Sequence, residues 1–501
     1  MDKPTSHLLQ QVHVRPGPRS TQVVTECKVD NSVYIEEHEK FQNCLLQRCP
    51  ADLWPGGAYQ TACPRPILVH ERHQQHLRDL HDALTAAITD IVERWWTDQD
   101  ACFPDRMPLE KQEEELLQWM ETQVVSKKLP IYRECRGSWR PDFLVEDVLD
   151  ETGVSVENYR ITEINARFSF NAFILGTIAH EGLQDMGVGS NGLKCATDPV
   201  ELLNGTIGLF RADSPLHLLK GREKGMDIHM LLHIIQQRFG ITPRLITPAD
   251  LRLVPLEHGS GHRLCSVVKE NGNFSLPPLA WRTDEGELVE EIHQVGLELH
   301  QSELLSLEPE ILRQISLRCF NDFRSILLTH DKRMLGIVKQ ELESLVSRKV
   351  ITTAQAQVLD QGIADTILPG SIELERLLYL SQQFPKLQYD FLLKPIRSGK
   401  GAGIVFGDEL ESEEWISALK FQLNSQAVSK ACVIQRRILP HLYNLVLKSS
   451  GVRVQYPLIG TYFVVNGKLL GLGGWRSSQD KICAVSHGGS WICSVMNNNE
   501  V

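Results

Sequence analysis

Residues 138–148, SWRPDFLVEDV, and 158–167, NYRITEINAR, are two short runs of alternating apolar and polar residues on either side of the turn-prone stretch 150–155. The alternation predicts a β-hairpin. If the turn is centred between Thr152 and Gly153, opposed residue numbers sum to 305, which sets Asp142 against Glu163 and Arg140 against Asn165. Side chains alternate along a strand, so Arg140 and Asp142 share one face, as do Glu163, Asn165 and Arg167. Two carboxylates, an amide oxygen and arginine in one patch form a hard-oxygen donor set. Such a set suits Mg²⁺ carried in with nucleotide phosphates, and an arginine beside it can hold an anion. Taken alone, the same residues also read as a surface ion-pair ladder.

Further along, a strand ending in Lys394 runs into a glycine-rich loop, Ser398-Gly-Lys-Gly-Ala-Gly403, and back into the strand GIVFG. Gly399, Gly401 and Gly403, with Ser398 and Lys400 between them, permit close backbone approach and positive φ, which turn amide N–H groups toward phosphate oxygens. No helix and no Ser or Thr follow Gly399-Lys400, so this is not a Walker A loop. It reads as a hairpin folding over a triphosphate, or as a merely flexible one. Residues 433–436, with Ile434 and Gln435, are expected to offer a strand edge whose main chain meets an adenine. A second hairpin, GTYFVVNGKLLGLGGWR, turns at Asn466-Gly467 and ends in Arg476. That arginine can stabilise charge on a transferring phosphoryl group, or simply be solvated.

The rest of the chain frames these pieces. Residues 1–30 read as a flexible N-terminal arm, and 31–130 as a helical region with amphipathic helices at about 71–96 and 109–127. Residues 131–205 hold the hairpin and a helix near 172–183, 206–310 an α/β portion, and 311–501 helices followed by strand-rich lobes. Within the α/β portion, 216–219 and 244–246 read as strands around a helix at 226–239. Single helices are expected over 309–328 and 332–348. This mixture argues an α+β fold with an α/β portion. His70, His73, His76 and His81 are spaced three, three and five apart, which does not put metal ligands at i and i+4; they read as a solvated helix face. Gly187, Gly189 and Gly192 spell GxGxxG but follow a helix, not a strand, and read as a loop.

The 501 residues are 42% hydrophobic and 23% charged, and 52 basic against 63 acidic residues leave a net charge of −11. This is a folded composition that argues against nucleic acid and membrane as partners. No signal peptide or spanning stretch is read, and the twelve cysteines contain no CxxC, so reduced thiols in a cytoplasmic protein are expected.

The order of pieces is specific: strand R-x-D, strand E-x-N, a lysine at a helix start (Asp331-Lys332-Arg333-Met334-Leu335), a Lys-Pro-glycine loop, a hinge strand with Gln, G-T-Y-x-V, and a final arginine. It resembles the synthetase module of glutathionylspermidine synthetase, of the circularly permuted ATP-grasp family, over roughly residues 131–495. The resemblance implies an ATP-grasp fold of the permuted, glutathione-synthetase-like kind, with ATP and Mg²⁺ as cofactors. It implies that Asp142, Glu163 and Asn165 hold magnesium, and that Arg140 faces the carboxylate or acyl phosphate. Lys332 and Lys394 become the two ATP lysines, Ser398, Gly399, Lys400, Gly401 and Gly403 the phosphate lid, Ile434 and Gln435 the adenine hinge, and Arg476 the arginine over the transferred phosphate.

The chain departs from that family in SGKGAG, in the longer spacing from Asp142 to Glu163, and in Arg167-Phe168-Ser169-Phe170, where the family has a small polar run. Glutathione and spermidine are therefore not carried over, and no amidase domain is read in residues 1–130. The activity implied is an ADP-forming carboxylate–amine ligase acting on small substrates, with specialised metabolism as the setting that family habit suggests. Two rival readings stay open: an inactive ATP-binding regulatory protein, and an adaptor built on helices 71–127.

Overall fold

The computed structural model describes residues 8–14, 22–25, 29–149, 152–190, 192–225, 227–256, 261–269, 279–424 and 427–498. Strands Ser138–Leu149 and Ser155–Asn165 form the expected hairpin, with Arg140 opposite Asn165 and Asp142 opposite Glu163. Beyond Asp142 the register shifts by one, so Phe143 faces Ile161 and Thr162 has no cross-strand partner. Asp150 and Glu151 of the predicted turn lie outside the described residues.

This hairpin is one end of an eight-stranded sheet. Ser138–Leu149 pairs with Ile459–Val465, the first strand of the second hairpin, whose partner is Lys468–Ser477. The turn between them has positive φ at Asn466 and Gly467, the combination that makes Asn-Gly favour tight hairpins. Ser490–Asn497 is the next strand, flanked by Ala62–Leu68 and Leu193–Cys195. Ala62–Leu68 is a strand the sequence hides: Pro64 and Pro66 argue against a ladder, and the pairing tolerates them through a register shift between Cys63 and Ile67. Most of the expected arm over residues 1–30 lies outside the described residues. Within it, Gln10–Gln11 is a strand paired with Ile67 and Leu68, and Leu9, Val12 and Val24 are buried.

Helix Glu71–Glu93 buries Leu77, Leu80, Leu84, Ile88 and Ile91, the three-and-four spacing of an amphipathic stripe. The solvated histidine face is corrected here. His73 and His81 are buried, His73 Nε2 lies 2.8 Å from Glu157, His81 Nε2 meets the Gly467 carbonyl at 3.0 Å, and His76 stacks on Tyr159. The helix lies against both hairpins, and each buried imidazole has found a polar partner there.

The expected βαβ unit is present: His217–Lys220, helix Ile228–Phe239 and Arg244–Ile246, with the two strands parallel and Val295–Glu298 added on the other side. The two long helices are each broken. Pro309–Ser316 ends before Asn321, whose Oδ1 accepts from the Ser138 amide and whose Nδ2 donates to the Ala166 carbonyl, so the chain leaves the helix to tie down the first hairpin. Arg333–Gln340 and Leu342–Ser347 are separated at Glu341, which accepts from Arg106 at 2.6 Å.

A smaller four-stranded sheet runs in the order Thr366–Ile367, Cys432–Arg436, Phe391–Pro395, Val405–Phe406. Leu374 and Leu377 of helix Ile372–Gln383 and Trp415 and Leu419 of helix Ser412–Asn424 pack with Leu393 and Ile434 to form its own core. Among the described residues no helix is long and apolar enough to cross a membrane.

Candidate functional site

A cavity of about 980 Å³ lies where the small sheet meets the two hairpins and helix Phe173–Asp185. Arg140, Asp142, Glu163, Asn165, Lys394, Ser398, Gly399, Lys400, Gly401, Gln435 and Arg476 all border it, although they come from four separated segments of the chain. Lys332, Gly403 and Ile434 do not.

Asp142 is 2% exposed. Its Oδ2 accepts from Arg476 Nη2 at 2.8 Å; its Oδ1, 3.4 Å from Arg140 Nε, is buried with no hydrogen-bond partner. Opposite it, Glu163 Oε2 lies 3.4 Å from Lys394 Nζ and 3.5 Å from Lys332 Nζ. Burial works against the Glu163 charge, but Lys394, Lys332, Arg476 and Arg140 outweigh it and hold the carboxyl well below its ordinary range. Burial is also the larger influence on Lys332, whose pKa is lowered although Glu163 pulls the other way. Burial works against the Arg476 charge, but Asp142, Cys483 and Glu163 outweigh it and raise its pKa. Asn165 donates Nδ2 to the Arg140 carbonyl at 3.3 Å, leaving its side-chain oxygen available to the cavity. Four cations therefore surround two carboxylates, and the surplus is positive.

The register shift in the first hairpin has a use. The carbonyl of Thr162, the residue skipped by the ladder, accepts from Lys394 Nζ at 3.0 Å and Gln435 Nε2 at 3.1 Å. The bulge thus ties the small sheet to the carboxylate strands. Gln435 donates again to Thr366 Oγ1 at 3.0 Å. The free strand edge expected at 433–436 is not there: at Ile434 and Gln435 the strand is paired on both sides, with Thr366–Ile367 and Phe391–Pro395. The Ile434 side chain belongs to the core of the small lobe, and the cavity is met instead by Gln435, Arg436, Arg437 and Ile438.

Lys332 stands immediately before helix Arg333–Gln340 and donates to the Ser398 carbonyl at 2.6 Å, so it anchors the start of the glycine loop. In that loop Lys400, Gly401 and Gly403 have φ of +57°, +77° and +76°, left-handed conformations that glycine adopts without a steric cost. Lys400 Nζ pairs with Glu223 Oε1 at 2.9 Å, and His300 Nε2 lies 3.2 Å from the other oxygen, so the loop is latched to the α/β portion across the cavity. Arg397 beside the loop is held by Asp331 at 3.1 Å and Glu113 at 2.5 Å. The sequence alone does not point to Thr162, Glu223, His300 or Arg397; none carries a motif, and only tertiary contact brings them here.

Away from the charged end, the cavity runs over Leu175, Ala179 and His180 of helix Phe173–Asp185 and Phe463, Trp491 and Cys493 of the large sheet. His180 Nδ1 bonds the Gly176 carbonyl at 2.8 Å, and burial lowers the ring's pKa from its ordinary value. Such a space suits the apolar part of a small molecule. Among the described residues no group of three His, Cys, Asp or Glu side chains gathers as a metal cluster. The hard-oxygen set is two carboxylates and an amide, which fits a Mg²⁺ that keeps water and phosphate oxygens in its shell.

A family model described as the AnkG N-terminal domain matches residues 80–328. A curated protein from Aspergillus thermomutatus, named ATP-grasp enzyme ankG, is 33% identical over 466 residues, covering 92% of this chain and 94% of that one. Among solved structures, the apo form of a glutathione synthetase-like effector from Globodera pallida matches with a TM-score of 0.51 over 93% of this chain and 98% of that one, at 11% identity, a likeness of fold alone.

Proposed function

The chain belongs to the ATP-grasp enzymes, ATP-dependent ligases in general, and from that premise we propose that it is an ADP-forming carboxylate–amine ligase that makes an amide or peptide bond on a small substrate. The observation that carries this reading is Asp142: a buried carboxylate oxygen that no hydrogen bond satisfies, 3.4 Å from Arg140, at the wall of a cavity otherwise rich in cations. An orphaned buried oxygen is costly unless something completes it, and a hard divalent cation arriving with ATP does so. Asp142, Glu163 and Asn165 are the residues that would hold Mg²⁺. When bound, the ion supplies positive charge to the nucleotide phosphates and draws electron density from the γ-phosphorus.

The chain's own groups do the rest. Lys394 lies against Glu163 at the cavity wall and would neutralise phosphate oxygens; Lys332, behind it, holds Glu163 and the start of the loop, whose residues 398–402 would offer their amides. Gln435 and its neighbours meet the base. Arg140 orients the substrate carboxylate. Its oxygen attacks the γ-phosphorus, the bond to the β-bridging oxygen breaks, ADP leaves, and Arg476 neutralises the charge on the transferring group. The amine nitrogen then attacks the acyl carbon of the acyl phosphate, phosphate departs, and the nitrogen loses a proton. The apolar arm of the cavity shields that intermediate from water. A place in specialised metabolism belongs to the same proposal and rests on family habit; a cytoplasmic setting belongs to it as well and rests on twelve scattered cysteines without a CxxC.

The test is ADP and phosphate release from Mg-ATP with a matrix of carboxylic acids and amines, followed by mass detection of the product. Release that requires an acid and an amine, and that disappears in Asp142→Ala and Glu163→Ala, is the expected result. Binding of ATP with no release in any combination would leave a nucleotide-sensing protein instead.

A further inference from the structure

Arg167 lies two residues past Asn165, at the cavity wall, and is 7% exposed. Among the described residues it makes no hydrogen bond and no ion pair within 4 Å, and its Nε is buried without a partner. Its guanidinium lies over the Phe168 ring, 5.0 Å from the centroid, and Phe168 packs edge-on against His300. The acids near it are engaged or neutral. Glu223 is taken by Lys400 and His300. Glu298 is buried with both oxygens unpartnered, and burial, then the nearby Asp227, push its carboxyl well above the ordinary range. A guanidinium in this setting is a buried charge with no carboxylate in direct contact, an arrangement that folding alone disfavours. The other arginines that border the cavity each have a carboxylate: Arg140 and Arg476 have Asp142, Arg397 has Asp331 and Glu113, Arg436 has Asp365 and Arg437 has Asp408.

We propose that Arg167 binds a carboxylate of the substrate that is not the one activated by ATP, so that the ligase selects a molecule with a second anionic group. This deepens the ligase reading and rests on it. Arg140 and Arg476 are committed to Asp142, while Arg167 borders the same cavity as Phe168, His300 and Leu305 and pairs with neither Asp142 nor Glu163. A planar guanidinium whose terminal nitrogens are free suits bidentate recognition of a carboxylate. The second carboxylate can belong to the acid, making it a dicarboxylate, or to the amine, making it an amino acid.

The experiment uses the full chain, wild type against Arg167→Met and Arg167→Lys. Thermal shift is read with Mg-ATP alone, and then with succinate, glutarate, citrate and the common amino acids, each compared with its monoamide or its decarboxylated amine. Arg167→Met is expected to melt at or above the wild-type temperature without ligand, because it removes an unpaired buried charge, and to keep the full Mg-ATP shift. Wild type should prefer at least one doubly anionic probe, or one amino acid, by about tenfold or more over its neutralised counterpart, a difference of about 1.4 kcal/mol. Arg167→Met should lose that preference and Arg167→Lys keep part of it. Which set of probes responds identifies the acid or the amine as the source. A melting temperature lowered by more than a few degrees in Arg167→Met assigns the side chain a structural role and overturns the proposal. So does loss of the Mg-ATP shift, which would make it a phosphate ligand, and so does a wild type indifferent to every probe. If the preference is present and Arg167-dependent but no ADP is released, the anion site stands and the ligase reading falls.

Discussion

Arg476 reaches back 334 residues along the chain to donate through Nη2 to Asp142 Oδ2 at 2.8 Å. The pair joins the last strand of the second hairpin to the first strand of the first, and both partners border the cavity. Removing one member strands the other's charge in a low-dielectric wall, so Asp142→Ala is expected to lower stability by about 3 kcal/mol. Arg476→Ala should cost at least as much, since the charge it strands, on Asp142, is 4% exposed against 22% for Arg476. The double variant should return part of the loss, with an interaction energy of about 1–3 kcal/mol in a urea-unfolding cycle. Additive losses would mean that the contact contributes nothing beyond its separate residues.

Stability should also depend on pH through the acid at the start of helix Phe173–Asp185. Asp227 accepts from the Ile174 amide at 2.7 Å, yet burial outweighs that and its other helix hydrogen bonds and pushes its carboxyl up to about 6 from 3.8. Between those two values the folded chain holds a proton that the unfolded chain has released. The contribution is therefore full below about pH 4 and is lost as pH rises through about 6. Asp227→Asn removes this titration. The stability of the variant relative to wild type should rise between pH 4 and pH 7, and a flat difference across chemical denaturation curves at those pH values would refute the assignment.

The glycines of the loop 398–403 are not equivalent. A Cβ on Gly399 meets nothing within 4 Å, whereas one on Gly401 collides with Ile482 Cγ2 on a backbone already at φ +77°. Gly401→Ala should therefore displace the loop and raise KM for ATP by about tenfold, or about 1.4 kcal/mol, with a stability change near 1 kcal/mol. Gly399→Ala should leave both within error. Equal effects from the two substitutions would argue that the loop does not close over the nucleotide in this conformation.

Much of this site is legible in the chain because strand alternation is strict. Arg140, Asp142, Glu163 and Asn165 pair as a turn centred between Thr152 and Gly153 predicts, although from Phe143 to the turn the pairs sum to 304, centred on Thr152, and it is the bulge that restores the expected register at the site. Past Asp142 comes a bulge, a one-residue choice made by tertiary contact, and it cannot be read from alternation; with it goes the Thr162 carbonyl that Lys394 and Gln435 use. Ile434 is hidden for a similar reason. The strand that covers it, Thr366–Ile367, is two residues long and leaves no periodic signal. The histidines of Glu71–Glu93 pattern as polar, but polarity does not reveal that Glu157 and a carbonyl wait inside to receive them. Arg167 is visible in the sequence as a residue on the Glu163 face; that no acid answers it emerges only from the packed structure.

The sharpest link between sheet packing and chemistry is Gly460. It sits between Phe143 and Trp475 in the ladder, and a Cβ there would penetrate the Phe143 ring, which is itself wedged against Tyr159, Tyr462 and Trp475. None of these rings can yield without moving another, so Gly460→Ala is expected to cost about 3 kcal/mol, at the upper end for overpacking a core. The next residue, Thr461, pairs with Asp142, and a strand pushed off Phe143 carries that carboxylate away from Arg476. Loss of ATP turnover should therefore accompany the loss of stability even at temperatures where the variant remains folded. Adding Phe143→Leu opens the space and should restore both together, measured by urea midpoint and by ADP release. Recovery of stability without activity would show that the position of Asp142 is set by something other than this contact.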